Sequence, residues 1–503
     1  MSSNFWDVSR ARPDDIALQP SSGKSYTFGE AAALADKVAA VFAAAGLQPG
    51  DTVSCVGCNE PLWVITYLAA LQSGLYFTPL SPSMPAPELT TIWQDARAKL
   101  IVAGFGQPAW IEQAAADAQI DRRRCFGLTG EGPFADLGAA VQALTPATPS
   151  APWRAGIRAL YTGGTTGVPR SIRRPLPVVP PEQAAAAITG MPQLLGLREG
   201  SSRHLIAGPL YHGGPLAFAT AALHLGATLV MSVTWSASET LRLIDEYQVT
   251  STFMVPTMLS RLVSVPAEER ERYDLSSLKA VIHGAAPCSP ALKYRLLEWL
   301  GPVLYEFYAA TEGGGTYVSP QEWLARPGTV GRALPGAEVL VLDEHGDPVS
   351  PGTVGRITMR SSNSARGGHF WPGDLGYLDE GGWLFLTDRV ADVIITGGVN
   401  VYSIQVEAAL CQVQDVEQCA VIGVPDPDWG EAVTVVVVPR SDSVAPAGLE
   451  RRLRQVAAQT LSPPQRPRHC VVVDNLPMTQ AGKVDKRALR SRYRNLDAVW
   501  AAV

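Results

Sequence analysis

The sequence predicts an α/β protein, because short apolar runs typical of buried strands alternate with amphipathic helical patterns along the chain. Residues 226–233 indicate a buried strand, 238–247 an amphipathic helix and 251–256 another strand. The stretch 327–360 is rich in Val, Leu, Gly and Pro, with hairpin-like spacing around Asp343-Glu-His-Gly346. That stretch therefore predicts an antiparallel subdomain beside the α/β part.

The composition is that of an ordinary globular protein long enough for two or three domains. The chain has 503 residues, of which 46% are hydrophobic and 17% charged, and its formal net charge is −6. This charge gives no electrostatic footprint for nucleic acid or an anionic membrane, so we expect neither as a partner. The N-terminus shows no signal-like pattern, and no apolar run reaches the length of a membrane span. We therefore expect a cytoplasmic protein.

Three segments before residue 171 have a recognisable local pattern. Tyr26-Thr-Phe-Gly-Glu30 opens a helix-like, Ala-rich run that ends at Gly46. Residues 145–152 mix prolines with small residues and indicate an exposed connector. The connector leads to a glycine- and threonine-rich loop, Tyr161-Thr-Gly-Gly-Thr-Thr-Gly-Val-Pro-Arg170.

This loop is suited to binding polyphosphate. Its glycines let the backbone approach a ligand closely and turn its N–H groups inward, and its threonines add hydroxyl donors. The loop does not fit the Walker pattern, which ends in Gly-Lys-Ser/Thr. The candidate phosphate-binding residues are Thr162, Gly163, Gly164, Thr165, Thr166, Gly167 and Arg170.

Further short motifs that can be compared with known families occur over nearly the whole chain. They are Tyr26–Glu30, Gly46-Leu-Gln-Pro-Gly-Asp51, Gly74-Leu-Tyr-Phe-Thr-Pro79, Pro209-Leu-Tyr-His212, His283-Gly-Ala-Ala-Pro287, Tyr308-Ala-Ala-Thr-Glu312, Gly373-Asp-Leu-Gly376, Asp388-Arg389, Gly397-Gly-Val-Asn400 and Pro477-Met-Thr-Gln-Ala-Gly-Lys483. Together with the loop, this series resembles the adenylate-forming superfamily of acyl-CoA synthetases, adenylation domains and luciferases. Asp388 before the arginine is typical of its acyl-CoA ligases.

The resemblance implies a definite architecture. Residues 1–390 would form a large domain of two packed α/β sheets with a small β-barrel-like subdomain. Residues 391–503 would form a small, mobile α+β domain that carries the catalytic lysine and the thiolation loop.

The resemblance also implies that a carboxylate attacks the α-phosphate of ATP and expels pyrophosphate. Charge then builds on the phosphate oxygens, so cations and Mg²⁺ should dominate catalysis. Lys483 matches the lysine that bridges the carboxylate and the α-phosphate. Thr311 matches a phosphate contact, and Glu312 matches the Mg²⁺ ligand.

The nucleotide itself would be held by a second set of residues. Tyr308 matches the ring that stacks on adenine, and Gly284, Ala285 and Ala286 match the backbone along its edge. Asp374 matches the carboxylate on the ribose hydroxyls, and Arg389 a partner of the ribose and phosphates. Each of these residues, taken alone, has an ordinary structural alternative such as a turn cap or a surface ion pair.

In the second half-reaction, the small domain would rotate about Ala391 and present a glycine loop to the thiol arm of coenzyme A. Gly397 and Gly398 match that loop. Trp429-Gly430-Glu431 resembles a family segment near the CoA nucleotide, which makes Trp429 a candidate contact. Arg466 and Arg468 are candidate phosphate contacts, with a solvated basic loop as the alternative.

Several departures from the family pattern cluster on the ATP side. Arg170 stands where relatives usually have Lys, Gly163 where they have Ser, and Pro372 where they have Thr, and the segment 355–374 is shorter. A planar guanidinium is not equivalent to a compact ammonium at a polyphosphate site. Adenylation would then be weakened or lost, and a partner adenylating enzyme would supply the acyl-adenylate. The alternative is neutral drift, because only seven of the 41 basic residues are lysines.

The sequence gives partial information about the class of the acyl substrate. No acidic residue occurs at 233–236, where amino-acid-activating relatives place one, which argues against an α-amino acid. His212 is a candidate catalytic or gating residue at the acyl pocket, with packing as its alternative. Glycines at 213, 214 and 313–315 would leave room for a bulky apolar or aryl acid.

Three functional readings stay open at this point. The first is an acyl-CoA ligase, either complete or limited to thiolation. The second is a stand-alone adenylating enzyme that loads the phosphopantetheine of a carrier protein. The third is a catalytically silent binding homologue.

Overall fold

The computed structural model describes residues 4–104, 110–130, 132–143, 154–162, 170–310, 313–361, 368–440, 446–479 and 483–494. Helices and strands alternate along the chain, which confirms the predicted α/β class.

The helices are α1 Phe5–Ala11, α2 Phe28–Ala44, α3 Pro61–Gln72, α4 Ala86–Asp95, α5 Trp110–Asp117, α6 Leu137–Ala143, α7 Pro181–Leu194, α8 Gly213–His224, α9 Ala237–Glu246, α10 Pro256–Ser264, α11 Ala267–Arg270, α12 Pro290–Leu300, α13 Pro320–Ala325, α14 Ser403–Leu410, α15 Pro446–Thr460 and α16 Lys486–Arg492. The strands are β1 Ile16–Pro20, β2 Tyr26–Thr27, β3 Thr52–Val56, β4 Tyr76–Leu80, β5 Ala98–Ala103, β6 Cys125–Gly127, β7 Ala135–Asp136, β8 Ile157–Arg158, β9 Leu160–Thr162, β10 Arg170–Ile172, β11 Arg203–Ile206, β12 Thr228–Met231, β13 Ser251–Met254, β14 Ala280–His283, β15 Leu304–Ala309, β16 Gly315–Val318, β17 Arg332–Ala333, β18 Ala337–Leu342, β19 Gly355–Ser361, β20 Asp374–Leu378, β21 Leu384–Arg389, β22 Ile394–Thr396, β23 Val399–Val401, β24 Val416–Asp426, β25 Gly430–Pro439 and β26 His469–Val472.

The chain divides into two compact units. The first contains Met1–Met254 and Ser264–Ile282, and the second contains Val255–Val263 and His283–Val503. The predicted boundary between 390 and 391 falls inside the second unit and stays a prediction.

The first unit contains two mainly parallel sheets. One has the order β7-β6-β5-β3-β4-β8, and the other includes the run β13-β11-β12-β1-β2. Helix α3 contacts both β4 and β1, and nearly all of its residues are buried. A helix that is apolar on every face is stable only when it is covered all round, so α3 belongs to the shared core of the two sheets.

The strands and helix predicted at 226–256 are present as β12, α9 and β13, with boundaries within a few residues. Ser236 caps α9 by accepting a hydrogen bond from the Glu239 N–H. Thr27 and Glu30 form a reciprocal capping box at the start of α2. Such caps satisfy the free N–H groups of the first helical turn, which is why both helices begin where the sequence places polar residues.

The second unit contains the antiparallel subdomain predicted at 327–360. Strands β18, β19, β20 and β21 form a four-stranded sheet in chain order, and β18 pairs antiparallel with β19. The connection at Asp343 is closed by hydrogen bonds from the N–H groups of His345 and Asp347 to its Oδ1, both at 2.9 Å.

The C-terminal part of the second unit has its own sheet, in the order β23-β22-β25-β24, with β26 parallel to β25. Buried valines on its two faces form separate cores, one with helices α14 and α15 and the other with helix α16. Within the described ranges, no helix is long and apolar enough to span a membrane.

Candidate active site

The glycine- and threonine-rich loop begins and ends in a two-stranded antiparallel ribbon. Thr162 of β9 lies opposite Arg170 of β10, and the Tyr161 hydroxyl donates to Asp95 at the end of α4. The ribbon therefore holds the two ends of the loop side by side. The predicted ligands Gly163, Gly164, Thr165, Thr166 and Gly167 lie outside the described residues, as do the side chains of Thr162 and Arg170, so their roles stay predictions.

Three of the predicted nucleotide-binding side chains form a hydrogen-bonded group. Arg389 and Asp374 lie opposite each other in the β20–β21 register, and Arg389 Nε donates to Asp374 Oδ1 at 2.9 Å. The Tyr308 hydroxyl, from β15, donates to Asp374 Oδ2 at 2.5 Å. An aromatic ring, a carboxylate and a guanidinium are thus brought together from three strands. These are groups that can stack on a base, accept from ribose hydroxyls and pair with phosphate.

The chemistry of this group fits a nucleoside. A carboxylate has about four lone-pair sites, and Asp374 uses one on each oxygen for Tyr308 and Arg389. It can therefore accept hydroxyl donors without losing either neighbour. Burial, reinforced by the adjacent Asp374 charge, raises the pKa of Tyr308, so the phenol stays protonated and remains a donor.

The segment 284–286 packs closely against the strand that carries Tyr308. A Cβ atom at Gly284 would lie 2.7 Å from the backbone oxygen of Phe307, so no larger residue fits there without displacing the backbone. Ala285 has φ of +70°, a left-handed conformation that costs a non-glycine residue about 1–2 kcal/mol. Strain of this kind persists where the surroundings enforce it, often at ligand sites. The predicted contacts of Gly284, Ala285 and Ala286 with adenine stay predictions.

A buried ion pair next to this segment was not foreseen from the sequence. Lys293 Nζ lies 2.6 Å from Glu306 Oε2 and 4.6 Å from the centre of the Trp323 ring. His283 Nε2 lies 3.8 Å from the same carboxylate oxygen. Burial raises the pKa of Glu306, and burial together with Lys293 lowers that of His283, so the imidazole is neutral. The sequence offered little indication of this pair, because a lysine in a helix such as α12 normally faces solvent.

The backbone of Lys483 is hydrogen-bonded to Thr479. Its N–H donates to Thr479 Oγ1 at 3.2 Å, and its carbonyl accepts from the Thr479 N–H at 2.7 Å. Burial, followed by repulsion from Arg389, lowers the pKa of Lys483, and Asp374 partly opposes that shift. The structure thus brings the predicted catalytic lysine within electrostatic range of the Asp374–Arg389 pair.

The two residues of the predicted Mg²⁺ and phosphate contacts fall in an undescribed part of the chain. Thr311 and Glu312 both lie outside the described residues, so their catalytic and metal-binding roles stay predictions. In the described ranges, no group of three or more His, Cys, Asp or Glu side chains is arranged to hold a metal ion.

His212 is the N-cap residue of α8, and its ring lies edge-on to Tyr211, with the ring centres 4.6 Å apart. The space beside the two glycines that follow is filled. A Cβ at Gly213 would lie 2.9 Å from Leu160 Cδ1, and one at Gly214 would lie 2.8 Å from Phe253 Cζ. Glycine at these two positions therefore allows neighbouring side chains to pack closely, and the expectation that they widen an acyl pocket stays a prediction. The role of His212 stays a prediction.

The glycines at 313–315 are also explained by the backbone. Their φ angles are +124°, +83° and +154°, all in the region that favours glycine. A Cβ at Gly315 would lie 2.4 Å from the Tyr308 carbonyl oxygen. These glycines thus permit the backbone conformation at the start of β16, and the expectation that they leave room for the acyl group stays a prediction.

The predicted thiolation residues form a second cluster. The Gly397 N–H donates to the Trp429 carbonyl at 2.8 Å, and a Cβ at Gly397 would lie 2.6 Å from the Trp429 ring. The Arg468 guanidinium covers that partly exposed ring at 4.0 Å from its centre. Gly398, in contrast, has open space where a side chain would project.

Arg466 is placed differently. Its Nε and Nη2 donate to the carbonyls of Leu461 and Ala458, both at 3.1 Å, at the C-terminal end of α15. A cation at this end of a helix satisfies free carbonyls. The contact of Arg466 with a CoA phosphate stays a prediction, and this helix contact is its structural alternative.

Comparison with known proteins gives consistent matches over almost the whole chain. Residues 5–367 match the family described as AMP-binding enzyme, and 405–483 match the AMP-binding enzyme C-terminal domain. The chain is 31% identical over 494 residues to medium/long-chain-fatty-acid–CoA ligase FadD8 of Mycobacterium tuberculosis, covering 92% of this chain and 85% of that one. It is 30% identical over 512 residues to feruloyl-CoA synthase of an Amycolatopsis species, covering 97% and 98%.

Among solved structures, the amide bond synthetase McbA from Marinactinospora thermotolerans superposes with a TM-score of 0.81. Its sequence is 28% identical, and the match covers 97% of this chain and 100% of that one. A similarity of this extent supports the fold assignment independently of the sequence motifs.

Proposed function

The chain belongs to the AMP-binding enzyme family, and from this premise we propose that it is an acyl-CoA ligase that works through an acyl-adenylate. A carboxylate attacks the α-phosphorus of ATP and pyrophosphate leaves. The CoA thiol then attacks the acyl carbon, loses its proton, and AMP leaves. The products are acyl-CoA, AMP and pyrophosphate.

One observation carries this proposal: the group formed by Tyr308, Asp374 and Arg389, with Lys483 in electrostatic range. The first three residues offer a stacking ring, an acceptor for ribose hydroxyls and a phosphate partner. Lys483 adds a cation whose pKa is affected by the charges of Arg389 and Asp374.

In the first half-reaction, Lys483 bridges the attacking carboxylate and the α-phosphate. Negative charge accumulates on the phosphate oxygens as the new bond forms, and a preorganised cation stabilises that charge more than it stabilises the bound substrate. Arg389 orients the nucleotide through Asp374. Mg²⁺, held by Glu312, would neutralise further charge on the phosphates.

In the second half-reaction, we propose that residues 391–503 rotate about Ala391 as a separate domain. The rotation removes Lys483 and presents Gly397 and Gly398 beside the adenylate. Gly398 has open space where a side chain would project, which leaves room for a thin pantetheine arm.

The proposal is tested by supplying Mg²⁺ and CoA with either free acid plus ATP or a preformed acyl-adenylate, over a panel of acids. Acyl-CoA detected by mass spectrometry from both supplies would establish a complete ligase. Acyl-CoA from the adenylate alone would show that the chain performs only thiolation, with a partner enzyme supplying the adenylate. Product from neither would contradict the proposal and favour a silent homologue.

We extend the proposal to Arg170: its guanidinium makes adenylation the weaker half-reaction. A lysine ammonium is a compact point charge, whereas a guanidinium is a bulkier planar fork that needs a different geometry around the phosphates. Arg170→Lys is expected to raise the rate of acyl-adenylate formation about tenfold, equivalent to 1.4 kcal/mol in the barrier. Pyrophosphate release measures this rate. The exposed Arg173→Lys is the matched control, and an unchanged or lower rate for Arg170→Lys would favour neutral drift.

We propose a bulky apolar or aryl acid as the substrate. The support is the similarity to a feruloyl-CoA synthase and a medium/long-chain-fatty-acid–CoA ligase, and the lack of an acidic residue at 233–236. The acid panel should therefore range from aryl acids to long-chain fatty acids. An α-amino acid activated in preference to all of these would contradict the assignment.

Two other acceptors can compete with CoA for the adenylate. One is the phosphopantetheine of a carrier protein, and the other is an amine, as suggested by the similarity to an amide bond synthetase. Each is tested by adding it in place of CoA. Faster transfer to either acceptor than to free CoA would replace the ligase assignment.

Gly397 provides a prediction specific to thiolation. In Gly397→Ala, the new methyl group would meet the Trp429 ring, and φ of +57° adds backbone strain. We expect thiolation of supplied acyl-adenylate to fall about tenfold or more, a barrier change of 1.4 kcal/mol, with acyl-adenylate formation unchanged. Gly382→Ala, at φ of +74° with nothing within 4 Å, controls for backbone strain alone. Equal losses in both half-reactions would contradict this role.

A further inference from the structure

A chain of buried hydrogen bonds connects the end of strand β21 to the segment that carries Lys483. Asp388, the residue before Arg389, is 2% exposed, and Ser403, at the start of α14, is fully buried. The Ser403 N–H donates to Asp388 Oδ2, and its hydroxyl donates to Oδ1 at 3.2 Å. Two donors from one residue thus converge on one carboxylate.

The chain continues through Ser403 to Lys486. Lys486 Nζ donates to the Ser403 hydroxyl at 2.7 Å, and it lies 2.8 Å from Glu407 Oε1 on α14. A hydroxyl can accept one hydrogen bond while donating another, so Lys486, Ser403 and Asp388 form one connected series. Lys486 is three residues beyond Lys483, on the same turn into α16.

The position of Asp388 gives this series its significance. It lies just before Ala391, the proposed hinge, whereas Ser403, Glu407 and Lys486 all lie after it. Any rotation about residue 391 must therefore break the Asp388 contacts, while the contact between Lys486 and Glu407 moves as a unit. Asp388 would keep the Arg389 N–H, which donates to its Oδ1 at 2.7 Å. A buried carboxylate that loses its two other donors is still destabilised, so these contacts stabilise one orientation over others.

We propose that Asp388, Ser403 and Lys486 form a latch that holds residues 391–503 in the orientation that presents Lys483 to the adenylate. The latch must open before the thiol can attack. Lys486 is then a positioning residue that acts through Lys483. This inference rests on the proposed two-step function and adds to it the residues that set the balance between the two orientations.

The latch has a quantitative consequence. If each half-reaction requires one orientation, the ratio of their rates follows the ratio of the two populations. Weakening the latch so that this ratio changes about tenfold, which is 1.4 kcal/mol, lowers the adenylation rate relative to the thiolation rate by the same factor. This holds whichever orientation is the more populated.

The test compares three variants with the wild-type protein, with acyl-adenylate formation and thiolation of supplied adenylate measured separately. Asp388→Asn and Lys486→Met remove parts of the latch. Glu407→Gln removes the other partner of Lys486 without touching the contacts across residue 391. We expect the first two to lower the adenylation-to-thiolation ratio about tenfold, and Glu407→Gln to lower thermal stability without changing the ratio. Lys486→Arg should restore most of the ratio.

A second measurement does not depend on activity. Hydrogen exchange of the Ser403 amide, followed in peptides covering 399–411, should accelerate in Asp388→Asn and stay slow in the surface control Arg454→Gln. Unchanged exchange in Asp388→Asn, or an equal ratio change in Glu407→Gln and Lys486→Met, would overturn the latch. If the wild-type protein forms no acyl-CoA from either supply, the proposed function fails, and the exchange result alone decides whether the latch exists.

Discussion

Replacing Lys483 with alanine is expected to slow acyl-adenylate formation by about 100- to 1,000-fold, the loss typical of removing one preorganised group from a developing charge. Thiolation of supplied acyl-adenylate should stay within about twofold of wild type, because the proposed rotation removes Lys483 from the adenylate before the thiol attacks. Pyrophosphate release measures the first step, and acyl-CoA formation from the adenylate measures the second.

The control for this variant is Lys279→Ala. Lys279 is a surface lysine whose Nζ donates to a backbone carbonyl in the first unit, so its removal should affect neither half-reaction. An equal loss in both half-reactions for Lys483→Ala would indicate a structural role. No loss in either would show that another group provides the positive charge.

The second large effect is expected from Asp374→Asn. Asparagine keeps the shape of the side chain, but it weakens the contact with Arg389 and removes the charge that strengthens hydrogen bonds from ribose hydroxyls. Hydrogen bonds to charged groups are worth about 1.5–3 kcal/mol, so AMP affinity should fall roughly 10- to 100-fold. Isothermal titration with AMP measures the loss.

Asp379→Asn is the matched control for that variant. Asp379 accepts from the N–H groups of Gly381 and Trp383 in the turn between β20 and β21, so it belongs to the same sheet but not to the nucleotide group. If Asp379→Asn lowers AMP affinity as much as Asp374→Asn, the effect comes from sheet stability and not from ribose binding.

The Asp374→Asn variant is also expected to change how adenylation depends on pH. Asp374 raises the pKa of Lys483 against the larger effects of burial and Arg389. The lysine acts in its charged form, so adenylation should fall as pH rises through a pKa below the ordinary 10.5. Removing the Asp374 charge lowers that pKa further, and the alkaline fall in activity should move to lower pH. If the alkaline fall in adenylation occurs at the same pH in Asp374→Asn as in the wild-type protein, the protonation of Lys483 does not determine it.

The sequence predicted the fold with few errors, for identifiable reasons. The helix that follows Tyr26–Glu30 and the strand–helix–strand pattern at 226–256 depend on residues close together in the chain, so local patterns were enough to find them. The hairpin at Asp343 was predicted for the same reason. The family resemblance supplied what local patterns cannot, namely which distant segments share a site.

The packing around the glycines expected at the acyl pocket could not be predicted from the sequence, for a physical reason. A glycine in a sequence can indicate open space, a special backbone angle or close packing, and only the neighbours distinguish these cases. Leu160 and Phe253 fill the space beside Gly213 and Gly214. Neither neighbour can be identified from the glycines themselves.

By itself, the sequence determined the α/β class, the family and the types of side chain available for nucleotide chemistry, because these depend on periodicity and on ordered motifs. Only the tertiary structure showed that Tyr308 and Arg389 share the two oxygens of Asp374, and that Lys293 is buried against Glu306. It also showed that Asp388 accepts a hydrogen bond from the N–H of Ser403, the first residue of α14, which lies 15 residues later in the chain. These arrangements join residues that are distant in the chain, and burial decides their energies.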